Sequence, residues 1–543
     1  MWVGFATLGF QRRLVPLWAV CFACLTAQPL GAQQVVIREK EGTGVIAGRL
    51  LPSDTSSFMV QTTLGVIRIA REDAICEGLA CPQLPDAAPI DIAPAIADTA
   101  PPADPIDPAQ ILTDVRIAGS RVMSDVLMPF LVQGYAAQQG ASAPRRIALA
   151  DQRMTLVVQN TDEAAEPRFV VEIEATDAGA GLASLQRGDA DLAMMSRQPT
   201  QTEVDTFRAD GLENLRDPVQ NHVIAFDRLE VIVSPDNPVQ SLALSDLQDL
   251  LSGKIANWAS LGGPDVPVAV FAPKAGADSQ LAFSTALMGP AGLTFAPGAV
   301  AVETPDAVAR AIAANPGGIG VVPTSASGPA TPVSLTGNCG LPWRATPFAI
   351  KAGDDPLRRP LRLLTSSQTP GPETRGLLDF ATSPAADILI RQAGFIGPRI
   401  IANPDPAPLP ALDGADPARA AHLTRMRDTL GEAVRLSTTF RFDGNASQAD
   451  IARLIAFLDR PDYAGRQVIL AGFSAAPGDV DAGIAASQAD ADAVRAAIVL
   501  QQAADTADRD RFTAIGFGPL WPIACSDTPG ADTRNRRVEV WVR

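Results

Sequence analysis

Hydrophobic and polar positions between residues 111 and 397 follow two periods in turn. Short apolar runs such as VRIAG, FVVEIEA and ADLAMMS are typical of buried strands. The stretches MSDVLMPFLVQGYAAQQ and LASLQRG instead carry apolar residues at helical spacing. Because strands alternate with helices along this region, the pattern predicts an α/β fold with largely parallel sheets.

The regions on either side have different patterns. Residues 33–82 contain VVIRE, GVIAGRLL, SFMVQTT and GVIRIA, which are broken by Gly or by Ser and Asp. This partial alternation predicts a small β module of about four strands, either a curled sheet or a small barrel. Residues 415–543 predict a helix over 417–436 and then a βαβαββ order, which indicates a compact C-terminal α/β domain.

Proline marks two segments between these modules. Residues 83–110 are rich in Pro, Ala and Asp, with eight prolines from Pro82 to Pro108. Residues 398–414 carry five prolines between Pro398 and Pro410. Such composition is typical of stiff, extended chain, so both segments are predicted to be linkers.

The first 32 residues have the pattern of a secretory signal peptide. Arg12 and Arg13 precede an apolar stretch from Leu14 to Leu25, and small residues follow at Gly31 and Ala32. The apolar stretch is too short to span a bilayer. Residues 1–32 are therefore predicted to be removed on export to the periplasm, which changes the net charge from −16 to −18 because two arginines and no acids are lost.

Composition narrows the class of protein. Hydrophobic residues make up 47% of the chain and charged residues 19%, which is ordinary for globular domains. The net charge of −16 argues against a nucleic-acid partner. An anion would gain no long-range attraction, so any anion site must work through local hydrogen-bond donors. The two histidines, His222 and His422, do not form a ligand set with the cysteines, so neither a metal nor a cofactor is predicted.

Four cysteines remain in the exported chain. Cys76 and Cys81 lie five residues apart and are predicted to form a local disulfide in an oxidising compartment. The alternative is two free thiols. Whether Cys339 pairs with Cys525 is left open by the sequence.

Three predicted strands of the 111–397 region end in residues suited to an anion. Two run directly into helices, whose first backbone N–H groups and positive dipole end favour negative charge. The third ends in Ser-Arg, and an arginine there has the geometry to contact an oxyanion through two hydrogen bonds. The alternative for each turn is tight packing, and for the arginine a surface ion pair. The candidate ligand-binding residues are Gly119, Ser120, Gly179, Ala180, Gly181, Ser196 and Arg197.

The same region resembles the substrate-binding proteins of phosphate transporters. The matching stretches include IAGSRVMSDVLMPFLVQGYA, AGAGLASLQRGDADLAMMSRQP and HVIAFDRLEVIVSPDNPVQSLALSDLQDLLSGKIANWASLGGPD, in the family's order. The resemblance implies a periplasmic-binding-protein fold with two α/β lobes, a hinge and a ligand in the cleft between them. It also implies phosphate or a related oxyanion as ligand and an ABC-transporter permease as partner. The lobe crossings are expected near Asp227 and near Val321.

One segment departs from this family. Members carry an Arg and then a Ser-Gly-Thr turn after a strand of the second lobe, where this chain has FAPKAGADSQLAF. Pro273 stands at the Arg position, and Ala277, Asp278 and Ser279 replace the turn, so Ser279 is the remaining candidate ligand residue there. Asp278 is predicted to repel a dianion, and Lys274 is a flexible substitute for the missing arginine.

The C-terminal region resembles the OmpA-like domain that associates with peptidoglycan. TTFRFDGNASQADIARLIAFL, VILAGFSAAPGD and NRRVEVWV match it, and Arg536 and Arg537 are the candidate peptidoglycan-binding residues. The family holds its cell-wall peptide with an Asp and an Arg, and the corresponding positions here are Ala475 and Asp490. The resemblance implies an envelope or outer-membrane association, which these two positions weaken.

Two functions follow from these patterns. In the first, the chain is a periplasmic solute-binding protein associated with the envelope through its C-terminal domain. In the second, it is a structural or interaction protein of the envelope whose ancestral phosphate and peptidoglycan sites have decayed. A cleft that closes on a solute favours the first, and a cleft filled by its own side chains favours the second. No GxSxG, HExxH or P-loop motif occurs in the sequence, so no catalysis is predicted.

Overall fold

The computed structural model describes the backbone of five segments near the N-terminus and most of the chain from residue 112 to residue 543. The N-terminal segments are 34–39, 45–51, 57–62, 65–70 and 74–77. The gaps after residue 112 are 149–151, 161–166, 211–214, 218, 275–276, 367–369, 404, 406–408, 413–416, 443–447, 476–478 and 503–508. The predicted signal peptide, the 83–110 linker and Cys81 of the predicted Cys76–Cys81 disulfide lie outside the described residues.

The chain forms two compact units, Met1–Ala88 and Pro89–Arg543. The first unit contains a five-stranded antiparallel sheet in the order β4-β3-β2-β1-β5. Its strands are β1 (Gln34–Glu39), β2 (Val45–Leu51), β3 (Ser57–Thr62), β4 (Gly65–Ala70) and β5 (Ala74–Glu77). The sequence predicts about four strands, and the additional one is the short AICE segment, which pairs with the otherwise open edge of β1.

Within the described residues, the second unit begins with thirteen strands and nine α-helices, in which strands and helices largely alternate as predicted. The strands are β6 (Val115–Ser120), β7 (Arg145–Ala148), β8 (Arg153–Val158), β9 (Phe169–Thr176), β10 (Leu192–Met195), β11 (Asn221–Val233), β12 (Ser241–Ala243), β13 (Ala269–Pro273), β14 (Val300–Val302), β15 (Gly318–Pro323), β16 (Thr331–Pro332), β17 (Ser334–Thr336) and β18 (Arg358–Leu364). The helices are α1 (Met128–Gln138), α2 (Ala178–Arg187), α3 (Gln201–Ala209), α4 (Leu244–Ser252), α5 (Asp278–Phe283), α6 (Pro305–Ala313), α7 (Pro347–Ala352), α8 (Pro372–Thr382) and α9 (Ala386–Gln392).

These elements form two lobes on one continuous strand path, β14-β13-β15-β11-β18-β10-β6-β9-β8-β7. The first lobe holds the β18 to β7 side, and the second lobe holds β15, β13 and β14, with β16 beside β11. The centres of both lobes are parallel, in the pairs β6–β9, β6–β10, β13–β14 and β13–β15. Antiparallel strands flank them, so the fold is α/β as predicted but mixed in strand direction.

The long strand β11 carries the chain from the first lobe into the second. It pairs with β18 as far as Arg228 and with β15 from Leu229 onward, which confirms the crossing expected near Asp227. The crossing expected near Val321 is wrong, because Val321 pairs with Val231 inside the second lobe and the chain returns through β18. The apolar run GIGVV indicates a buried strand, but its period carries no information about which lobe contains it.

Two buried ion pairs fix the strands at this crossing. The Nε of Arg228 donates to Asp355 Oδ2 at 2.5 Å, and Arg359 donates to Asp227. All four side chains are buried. Because a buried charge is stable only beside a partner, these pairs tie β11 to β18 and to the residues before it.

Separate apolar cores hold each lobe together. In the first lobe α1, α8 and α9 pack on one face of the sheet around Met128, Leu131 and Leu389. In the second lobe α4 packs around Leu247 and the fully buried Trp258. Neither core crosses from one lobe to the other, so the lobes meet through β11, β18 and polar contacts.

The C-terminal part of the second unit follows the predicted βαβαββ order, except that a short helix lies between its last two strands. Its elements are α10 (Pro417–Leu430), β19 (Val434–Arg441), α11 (Gln448–Leu458), β20 (Val468–Phe473), α12 (Val480–Gln501), β21 (Phe512–Gly516), α13 (Ala531–Asn535) and β22 (Arg537–Val542). The sheet order is β19-β22-β20-β21. The first helix ends at Leu430 instead of residue 436, because the chain turns at Gly431 and enters β19.

A disulfide and a buried charge cluster join this C-terminal region to the second lobe. Cys339 and Cys525, whose pairing the sequence left open, form a disulfide with 5.6 Å between their Cα atoms. Beside α7, Asp354 accepts from Arg435 of β19 at 2.6 and 3.1 Å. Arg441 of β19 donates to two backbone carbonyls at the end of α7, at 3.1 and 2.7 Å. The C-terminal region is therefore held to the second lobe by covalent and ionic contacts together.

The start of the predicted 398–414 linker also belongs to this arrangement. Ile401 and Ser437 exchange two hydrogen bonds, and Asn403 N donates to Arg435 O at 2.7 Å. Residues 401–403 therefore lie along β19. Among the helices described, none combines the length and the apolar character needed to cross a bilayer.

Candidate functional site

Two serines lie together at the carboxyl ends of neighbouring parallel strands. Strand β6 ends at Ser120, and Ser196 follows the last residue of β10. The strands pair in register through Gly119 and Met194, and Ser120 Oγ donates to Ser196 Oγ at 2.9 Å. Both serines are buried, at 1% and 0% exposure. The carboxyl ends of parallel strands are where open α/β sheets bind ligands.

Helix α2 begins beside these serines. Its N-cap residue, Asp177, accepts from Ala180 N at 2.8 Å through Oδ1 and from Gly181 N at 3.0 Å through its carbonyl oxygen. The N–H of Ala178, the first residue of the helix, points away from this cap. It is therefore the amide of Ala178, one residue before the predicted 179–181 turn, that faces the second lobe.

Two of the predicted glycines allow a close backbone approach, Gly181 between α2 and β6 and Gly119 between β6 and β10. A Cβ at Gly181 would lie 2.5 Å from Ala118 O, and one at Gly119 would lie 2.3 Å from Met194 O. Gly119 also has φ +134°, which L side chains rarely adopt. Their small size brings the helix N-terminus close to the two serines. Gly179 is different, because its nearest neighbours are the side chains of Asp177, Arg197 and Glu203.

The carboxylate of Asp278 occupies the space at which these donors converge. Asp278 is the first residue of α5 in the second lobe and is 9% exposed. Both of its carboxylate oxygens lie 3.2 Å from Ala178 N, and Oδ2 accepts from Ser196 Oγ at 3.3 Å. A carboxylate from one lobe thus takes the amide and hydroxyl donors of the other, in the cleft between them.

Arg197 is directed mainly toward another partner. Its two terminal nitrogens donate to the carboxylate of Glu203 at 2.8 and 2.7 Å, and its Nε lies 3.7 Å from Asp278 Oδ1. The hydrogen bond to Glu203 raises the pKa of Arg197. Burial acts to raise the pKa of Glu203, but hydrogen bonds from Arg197 and Thr200 outweigh it and hold the pKa below its usual range. The guanidinium charge is therefore largely neutralised by Glu203 before any ligand arrives.

The described residues of the second lobe near the cleft supply few hydrogen-bond donors. Pro273 ends β13 as a buried residue without an N–H group. Lys274 is 65% exposed and pairs with Glu303 at 3.1 Å, so its ammonium does not replace the missing arginine. Ser279 is 6% exposed and lies beside Asp278 in the first turn of α5. The predicted second-lobe residue is thus in the cleft, next to a carboxylate.

The second candidate site lies in the C-terminal region. Arg536 donates to both carboxylate oxygens of Asp490 at 2.8 Å, and its own side chain is 51% exposed. Arg537 is buried at 0% exposure, where it bonds Glu539 at 2.7 Å and two backbone carbonyls at 3.0 Å. Of the two predicted arginines, one is therefore in a surface ion pair and the other is built into the core.

Sequence reasoning missed three contributors to the cleft. The capping role of Asp177 and the partner role of Glu203 follow from local patterns that were available: Asp177 directly precedes α2, and Thr200-x-x-Glu203 is a capping box. The contact between Asp278 and Ala178 joins residues 100 positions apart. No local sequence pattern predicts this contact.

Comparison with known proteins identifies the fold family. The family model described as the PBP superfamily domain matches residues 108–385, which is about half of the chain. The chain belongs to the PBP superfamily. The two lobes are hereafter called the PBP module.

Individual relatives are distant. Protein SphX of Synechococcus elongatus is 25% identical over 275 residues, covering 48% of this chain and 79% of the relative. Phosphate-binding protein PstS 2 of Streptococcus agalactiae is 28% identical over 129 residues, covering 23% of this chain and 40% of the relative.

Two solved structures are similar to about half of the chain. One, an ABC-type phosphate transport receptor from Vibrio cholerae, is 22% identical with a TM-score of 0.39, covering 52% of this chain and 100% of that one. The other is a phosphate ABC transporter substrate-binding protein with bound phosphate from Clostridium perfringens. It is 21% identical with a TM-score of 0.38, covering 52% of this chain and 98% of that one.

Proposed function

We propose that the PBP module is an extracytoplasmic, non-catalytic binding module for phosphate or a related oxyanion. The observation that carries this is the convergence of the Ser196 hydroxyl and the Ala178 amide on one buried carboxylate, with Ser120 hydrogen-bonded to Ser196. Hydroxyl and helix N-terminal amide donors are the groups that hold oxyanions in proteins. The distant relatives named as phosphate-binding proteins support the same ligand class.

The proposal includes export and an envelope context. The signal-peptide pattern of residues 1–32 supports a periplasmic location, and a module of this family supports an ABC-transporter permease as partner. The OmpA-like pattern of residues 415–543 supports association with peptidoglycan or the outer membrane.

Anion titration of the full exported chain tests the ligand class. Phosphate, sulfate and acetate are titrated into the millimolar range at constant ionic strength, and the melting temperature is followed. A ligand that binds only the native state stabilises it by about 2.7 kcal/mol at a hundredfold excess over Kd. We expect Ser196→Ala to weaken the response by about tenfold because one donor is lost. Ser241→Ala, which removes an exposed hydroxyl of the second lobe, should leave it unchanged.

A second candidate function is favoured by the two internal carboxylates. Asp278 fills the cleft donors and Asp490 pairs with Arg536, as expected of an envelope interaction protein that binds neither ancestral ligand. An absence of any melting shift with all three anions, both in the wild type and in Asp278→Ala, would reject the solute-binding proposal and leave this one.

Co-sedimentation with purified sacculi tests the envelope part separately. The wild-type chain is compared with the double variant Ala475→Asp and Asp490→Arg, which installs the charges that the resembled family uses. Envelope association through peptidoglycan predicts binding by the wild type that the double variant strengthens. Binding by neither would reject an OmpA-like role for this region.

A further inference from the structure

The geometry of the cleft points to a role for Asp278 beyond that of one lining residue. We infer that its carboxylate is a tethered internal anion that determines specificity, because a free oxyanion can bind only by displacing it. This inference rests on the proposed function, since it treats the same donors as an anion site. The inference goes further than the proposed function in two respects. It says which group occupies the site when no solute is bound, and it says which solutes are excluded.

The hydrogen bonds of Asp278 are directed away from its own helix and toward the other lobe. An Asp in the first turn of a helix usually serves that helix, by capping it or by facing its dipole. Helix α5 has Ala277 as its N-cap residue and no side-chain cap bond. The carboxylate instead accepts from Ala178 N and Ser196 Oγ, both of which belong to the other lobe. Its bonds are those of a ligand of the first lobe.

The charges of the cleft also favour a single negative charge at this position. One guanidinium, Arg197, faces the carboxylates of Asp177, Glu203 and Asp278. Its terminal nitrogens are already engaged by Glu203. The remaining donors are a serine hydroxyl and one amide, which suit a single negative charge. A dianion entering beside Asp278 would meet like charge in a water-poor cleft, so it is excluded while Asp278 stays in place.

Covalent attachment makes this competition effective. A group that is tethered to its own site acts at an effective concentration on the order of millimolar or above. A free oxyanion must exceed that concentration or bind intrinsically more tightly. The wild-type module is therefore expected to remain closed without solute and to respond to phosphate only at high concentration.

Hydrogen–deuterium exchange of the full exported chain tests this directly. The readout is the peptide that contains the start of α2, in the wild type and in Asp278→Ala. We expect the variant to exchange at least about tenfold faster there, because the Ala178 amide loses its acceptor and the lobes lose their bridge. Asp278→Asn keeps one acceptor oxygen and should be intermediate, and it remains interpretable if the alanine variant folds poorly. Glu303→Ala removes an exposed carboxylate of the same lobe and should exchange as the wild type does.

Adding phosphate or acetate separates this inference from the proposed function. Restored protection in Asp278→Ala, with an apparent Kd at least about tenfold lower than in the wild type, supports both. Faster exchange that neither anion reverses supports the internal anion and rejects the oxyanion-binding proposal. Unchanged exchange in both Asp278 variants overturns the inference. So does wild-type phosphate affinity equal to that of Asp278→Ala, although the proposed function would then stand.

Discussion

The cleft and the C-terminal region each contain an acidic residue where a ligand-binding group is expected, but the two acids are held differently. Asp278 reaches from one lobe to amide and hydroxyl donors of the other and is 9% exposed. Asp490 pairs with Arg536 inside a single sheet-and-helix region, and that arginine is 51% exposed. The first contact joins two lobes, whereas the second lies within one region, where Asp490 itself is 8% exposed.

This difference separates a conditional contact from a fixed one. Among the described residues, β11 is the strand that runs from one lobe into the other, and the lobes have separate apolar cores, so the Asp278 contact depends on how the lobes are placed. The Asp490 pair does not depend on any such movement. An internal carboxylate can therefore act as a competing ligand in the cleft, while the same residue type in the C-terminal region contributes little beyond local charge.

The largest expected effect tests whether the C-terminal region is one body with the second lobe. The Cys339–Cys525 disulfide closes a loop with a sequence separation of 186. Replacing both cysteines with serine should lower the free energy of unfolding by about 5 kcal/mol, because the unfolded chain loses that constraint. Urea denaturation measures the change. An unchanged midpoint would contradict a C-terminal region that is joined to the second lobe.

The next effect concerns the buried charges at the same interface. Burial acts to raise the pKa of Asp354, but Arg435 and Arg441 outweigh it and lower the pKa to about 2. Asp354→Ala should cost about 3–5 kcal/mol, because two buried guanidinium groups lose their partner. Asp189→Ala, which breaks an exposed pair with Arg187, is the matched control and should cost less than about 1 kcal/mol.

The contact of Asp354 with Arg435 and Arg441 should also make the stability of the protein depend on pH in the acid range. Since the folded pKa of Asp354 lies below its unfolded value, its contribution to stability is complete above the usual aspartate pKa of 3.8 and is lost as the pH falls toward about 2. Asp354→Ala should therefore show a shallower loss of stability across that window. If the stability of Asp354→Ala fell with pH as steeply as that of the wild type, other carboxylates would be responsible for the acid sensitivity.

A smaller effect is expected from replacing Asp490. Asp490→Ala should change the free energy of unfolding by less than about 1 kcal/mol, because its partner is half exposed to water. It should leave the exchange rate at the start of α2 unchanged. An effect on that exchange as large as that of Asp278→Ala would erase the distinction between the two acids.

The smallest expected effect concerns His222 at the start of β11. Burial lowers the pKa of His222 below its usual value of 6.5, so the folded protein takes up a proton there less readily than the unfolded chain does. As the pH falls below 6.5 the unfolded chain binds a proton that the folded chain does not, so stability decreases. His222→Gln should remove this part of the pH dependence in thermal denaturation. An identical pH profile in the variant would contradict a buried, neutral imidazole.

Local patterns in the sequence were sufficient for the elements and for one side of the site. Apolar period and Gly-rich strand ends predicted α2, β6 and β10, together with Ser120 and Ser196 at their ends. The lobe return through β18, the disulfide and the Asp278 bridge were not predictable in the same way. Each joins residues far apart in the chain, such as Cys339 and Cys525 or Ala178 and Asp278, and their proximity depends on how the two lobes and the C-terminal region pack.

Whether Asp278 acts as an internal anion depends on where its carboxylate lies when no solute is present. The most direct measurement is a crystal structure of the exported chain grown without phosphate, sulfate or carboxylate buffers. An internal anion predicts closed lobes, with the Asp278 oxygens near 3.2 Å from Ala178 N. Lobes that are apart, with Asp278 in solvent and the Ala178 amide free of a carboxylate, would contradict it.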